Sequence, residues 1–126
     1  MSVADATNGR LRAIDRALAH SPFLAQAAAA FTGVAETFAN VGAPAAVAAA
    51  LALDGETVEE RLRRQRTALA VAVALGDLAG EFSLEEATAI LSDFADRAIG
   101  DALAAAIDER VPGATAEGFA VIALGK

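Results

Sequence analysis

Gly118-Phe119-Ala120-Val121-Ile122-Ala123-Leu124-Gly125-Lys126 is the stretch on which the fold assignment turns. It is a short apolar run with Phe, Val and Ile, opened by one glycine and closed by another, and it reads as a buried β-strand. A lone strand leaves its backbone N–H and C=O groups without ladder partners, and burying them unpaired costs free energy. No second stretch of the chain has the pattern of a strand that could pair with it. The expected fold is therefore mostly α: a helical bundle leading into the first strand of a sheet that this chain does not complete.

Upstream, the punctuation is helical. Asn8 to Ala19 should form a first helix, with Leu11, Ile14, Ala17 and Leu18 at helical spacing, after a frayed Met1–Thr7. Arg10, Arg12 and Arg16 fall off that stripe and read as a solvated face. Ser21 can cap the next helix and Pro22 suits its first position, where a missing N–H costs nothing. Gly33 and Gly42-Ala43-Pro44 mark further breaks, and Pro44 starts an alanine-rich helix that ends near Asp54-Gly55. Thr57-Val58-Glu59-Glu60 and Ser83-Leu84-Glu85-Glu86 are capping boxes, opening helices to about Ala79 and about Arg110. Gly80 ends the first of these in the left-handed conformation, so the two long helices should lie antiparallel. Leu84, Ala87, Ile90, Leu91, Phe94, Ala98, Ala102 and Ala105 form the expected inward stripe of the last helix.

Composition narrows the function. The chain has 126 residues, enough for one modest domain, and is 56% apolar, much of it alanine. Its net charge of −7 argues against general nucleic-acid binding, which requires positive charge to displace counterions from phosphates. With no cysteine, disulfides and thiol chemistry are excluded, and a cytoplasmic location is expected. No run approaches the roughly 20 apolar residues of a membrane span. Arg10, Arg12 and Arg16 precede the apolar Phe23 to Phe31, but Asp5, Asp15 and Gln26 spoil the pattern of a signal peptide.

Polar clusters are few. Asp93 and Asp96 could share a helix face as metal ligands do, although solvated surface is the simpler account. Arg61, Arg63, Arg64 and Arg66 either pair with the acidic surface or contact a nucleotide phosphate. His20 is the sole histidine, which excludes a multi-histidine metal site and favours a structural place at a helix end. Gly125 and Lys126, in a turn after the strand, are the candidate nucleotide-binding residues, although the glycine pattern of a P-loop is missing before them.

Three segments, in order, carry a family resemblance. Ala19-His20-Ser21-Pro22-Phe23-Leu24, the run from Gly76 to Glu86 followed by Leu91-Ser92-Asp93-Phe94-Ala95-Asp96, and Gly118 to Lys126 resemble glutamate–ammonia-ligase (glutamine synthetase) adenylyltransferases. These enzymes add AMP to glutamine synthetase and remove it. The resemblance implies that residues 1–113 are a helical N-terminal scaffold and 114–126 the first strand of a truncated nucleotidyltransferase-type α/β domain. It also implies paired aspartates holding magnesium beyond Lys126, so that no catalytic residue lies in this chain and the chain alone is inactive. Met1 at the start suggests the N-terminal, adenylyl-removing half, which acts by phosphorolysis. The implied ligands are magnesium, ATP, ADP and phosphate, none held tightly here; the implied partners are glutamine synthetase and the PII signal protein, with no nucleic acid and no membrane. Two other readings stay open: a non-catalytic helical protein-interaction module whose apolar tail adds a strand to a partner, and a small helical ligand-binding protein.

Overall fold

The computed structural model describes residues 2–124, and among them six helices form: α1 (Val3–His20), α2 (Pro22–Ala30), α3 (Thr32–Asn40), α4 (Ala43–Leu51), α5 (Val58–Leu78) and α6 (Leu84–Arg110). The arrangement is mostly α, as the periodicity predicts. α5 is the axis. Its residues Ala68, Leu69, Val71, Ala72, Val73 and Leu75 are all buried, and α1, α2, α3, α4 and α6 each pack against it. An apolar run with no polar side has no face to offer solvent, so it occupies the middle. Phe38 from α3, with Ala43, Ala46 and Ala50 from α4, completes the innermost layer at 0% exposure. The alanines let the helix axes approach closely, and Phe38 supplies most of the bulk that they lack.

Helix ends follow local chemistry. The Ser21 hydroxyl accepts from the Leu24 N–H with Pro22 in the first turn, and Ser83 and Glu86 form a reciprocal box at the start of α6. Thr57 accepts from the Glu60 N–H at 3.1 Å, but the Glu60 carboxylate turns to the N–H of Glu56 rather than of Thr57, so that box is only half made. Gly80 ends α5 at φ +75°, the left-handed value expected. Gly33, by contrast, sits inside α3, because the break falls two residues earlier, at Phe31.

Two expectations at the termini fail. The first helix begins at Val3 rather than Asn8, because Ser2 and Asp5 form a capping box that fixes the first turn. The terminal strand is not formed. After turns at Gly113 and Gly118, both at positive φ, the Phe119 N–H donates to the Ala116 carbonyl, and no β-ladder follows among the described residues. Phe119, Val121, Ile122 and Leu124 are exposed. The reason is the one that makes a lone strand unfavourable: no second strand offers it donors and acceptors.

Candidate functional site

The densest polar arrangement lies where the α5–α6 turn meets α1 and α4. Gly76 accepts at its carbonyl from the N–H groups of Glu81 and Phe82, at 2.8 and 3.2 Å, which closes the turn. The Phe82 ring lies over Gly76 so closely that a Cβ there would stand 2.4 Å from Cδ2; only glycine allows this packing. The turn presents Glu81 inward. One carboxylate oxygen accepts from Arg10 Nε at 2.9 Å, and the other accepts from the Ala43 N–H, in the first turn of α4, at 3.1 Å. Gly42, at φ +134°, makes room for it. Glu81 thus joins α1, α4 and the α5–α6 turn, and its charge faces the positive end of the α4 dipole. Arg10 is correspondingly an ion-pair partner and not part of a solvated face. The sequence reading missed both residues, because Glu81 lies 71 positions from Arg10 and 38 from Ala43.

A second joint holds the α4–α5 connection. Gln65 is buried, and its amide nitrogen donates to the carbonyls of Leu51 and Leu53 at 3.1 and 2.9 Å. These are end-of-helix acceptors that α4 leaves without partners. Arg64 donates to the Asp54 carbonyl and stacks over Phe31, 5.9 Å from the ring centroid.

The polar groups singled out from sequence do not converge. Arg61 pairs with Asp101 at 3.2 Å, Arg64 is engaged as above, and Arg63 and Arg66 are exposed with no ion pair among the described residues. Asp93 and Asp96 lie on the open side of α6 beside Arg97. His20 ends α1 in solvent. Among the described residues no group of three or more His, Asp or Glu side chains is placed to hold a metal, and no helix is long and apolar enough to cross a membrane. Gly125 and Lys126 lie outside the described residues. The Asp5 carboxyl is held below the ordinary aspartate value by hydrogen bonds from the Ser2 hydroxyl and the Ser2 N–H.

What is left open is apolar. α6 touches only α5 among the helices. The Arg61–Asp101 pair sets the antiparallel register, so residues 105–110 run past the start of α5 by roughly 9 Å. Residues 118–124 come back further along α6: Val121 and Ala123 line a shallow cleft of about 260 Å³ with Asp96, Ile99 and Gly100. Of the expected inward stripe, Ala87 and Phe94 are buried and Ile90, Ala98 and Ala105 half-buried, whereas Leu84, Leu91 and Ala102 face solvent. One helical neighbour can cover only about a third of a helix's circumference, and here it is α5 alone.

The sequence profile of the family described as glutamate-ammonia ligase adenylyltransferase matches residues 11–126. The chain belongs to that family. It is also similar to the bifunctional glutamine synthetase adenylyltransferase/adenylyl-removing enzyme of Rhizobium meliloti (strain 1021), at 33% identity over an alignment covering 87% of this chain. The chain spans 14% of that relative's length. No solved structure matches it significantly. In this member of the glutamate-ammonia ligase adenylyltransferase family, the Gly76–Phe82 segment and its partners Arg10 and Ala43 tie α1 and α4 to the α5–α6 turn.

Proposed function

We propose that this chain is the helical scaffold of a bifunctional enzyme that adenylylates and deadenylylates glutamine synthetase, in the module that removes AMP by phosphorolysis. The observation that carries the reading is the family match over residues 11–126, which includes the tightly built Gly76–Phe82 joint. In this reading the chain contributes no catalytic group. The nucleotidyltransferase chemistry belongs to polypeptide outside it, where paired carboxylates hold magnesium and stabilise charge on the attacking and leaving oxygens. The scaffold fixes where that sheet begins, through α6 and the 118–124 segment. Glutamine synthetase is then the protein substrate, PII the regulatory partner, ATP, ADP and phosphate the small ligands, and the cytoplasm the location; the isolated chain is inactive.

A segment exchange tests this. The matching part of the Rhizobium meliloti enzyme is replaced by this chain, and AMP transfer to glutamine synthetase and phosphate-dependent AMP removal are assayed separately with magnesium. Both activities should survive the exchange. Gly76→Val in the exchanged enzyme should then abolish removal and spare addition. A folded exchange product lacking both activities would overturn the reading, and loss of addition alone on Gly76→Val would assign the chain to the other module.

A further inference from the structure

We propose that the groove between α5 and α6 is a self-association surface, which a second copy of this chain occupies in two-fold antiparallel fashion to form a four-helix bundle from two α5–α6 hairpins. Three features of the groove point to that occupant.

The first is shape. Ala70, Val73 and Ala74 of α5 and Leu84, Ala87 and Leu91 of α6 line an open apolar groove of about 330 Å³. On α6 it continues through Thr88 to Ala95, four residues beyond Leu91, and stops before Ile99, which lines the cleft with Val121 and Ala123. Spacings of three and four residues make the seam of a helix meeting another helix at a shallow angle. Leu84 is 76% exposed and Leu91 45%, and alanines between them let a facing helix approach closely.

The second feature is charge along the groove. Asp77 lines the end at the α5–α6 turn, and Glu85 follows Leu84 on the far rim of the same end. Four and seven residues back from Ala70, on the same face of α5, come Arg66 and then Arg63, both exposed and without an ion pair among the described residues. The acidic and basic ends are roughly 16–21 Å apart along α5. A two-fold axis across the midpoint lays the arginine end of one copy over the Asp77–Glu85 end of the other.

The third feature decides the occupant. A fitting helix must carry an apolar seam of this spacing with acid at one end and arginine at the other. The α5–α6 hairpin itself has this arrangement, so an isologous pair satisfies both copies at once. The interface is offset by the net charge of −7 on each copy, which works against association away from the seam. The inference does not depend on the enzymatic reading above.

Sedimentation equilibrium on the 126-residue chain over a concentration series tests it. The expected result is a reversible monomer–dimer equilibrium, with the L84E/L91E variant sedimenting as a monomer while keeping its helical circular dichroism. R63E/R66E should weaken the dimer by about tenfold or more, and adding D77R/E85R to that variant should restore it, as expected for paired charges. If L84E/L91E loses its helical signal, the charge reversal and its rescue decide alone. A chain that stays monomeric throughout overturns the proposal. So does association that survives L84E/L91E but disappears in F119S/I122S, which would place the contact in the terminal apolar segment.

Discussion

The two ends of α6 have opposite surroundings. At its start the turn from Gly76 to Phe82 is held by two backbone hydrogen bonds, a ring laid on a glycine and a carboxylate shared between α1 and α4. At its finish the helix has run beyond α5, and the segment after it turns back to Asp96, Ile99 and Gly100. Both ends are rich in apolar residues, so hydrophobicity does not separate them. The difference lies in partners: the first end sits where several helices converge on α5, whereas the second has run past the end of its only neighbour.

This contrast is open to direct measurement by chemical denaturation. The largest gap should come from two phenylalanines. Phe38→Ala, at 0% exposure, is expected to cost about 3–5 kcal/mol, whereas Phe119→Ala, at 68% exposure, should fall within about 0.5 kcal/mol of zero. Equal effects would mean that the terminal segment is packed after all.

Two glycines should differ in sign. Gly76→Ala forces a Cβ into the Phe82 ring and should cost about 1–3 kcal/mol, while Gly100→Ala, with nothing within 4 Å, should stabilise by about 0.5–1 kcal/mol. Glu81→Ala removes the bonds to Arg10 and to the Ala43 N–H, for an expected loss of about 1–3 kcal/mol. Asp101→Ala at the exposed pair with Arg61 should change stability by less than about 1 kcal/mol.

The smallest effect is local and depends on pH. Hydrogen bonds from Ser2 depress the Asp5 pKa, so its ionised form supports the first turn of α1 above its unfolded value. That support is lost as the pH falls through the lower, folded value. Protection of the Asp5 and Ala6 amides from exchange, relative to the intrinsic rate at each pH, should therefore fall in that acidic window and hold above it. Protection that is the same on both sides of the window would remove the capping box from the account.

The sequence alone determined the helical class and most helix ends. Ser21, Pro22, Ser83 and Gly80 act on backbone groups three or four positions away, which is why they are legible without knowing the fold. The weaker Ser2–Asp5 box went unread because Val3, which follows Ser2, belongs to no apolar stripe. Only the tertiary structure decided that Glu81 bonds Arg10, that Gln65 closes the end of α4, and that Leu84 and Leu91 are left in solvent. It also decided that the terminal apolar run forms no strand. A strand, like a shared carboxylate, is completed by partners remote in the chain, and no local pattern states whether those partners are present.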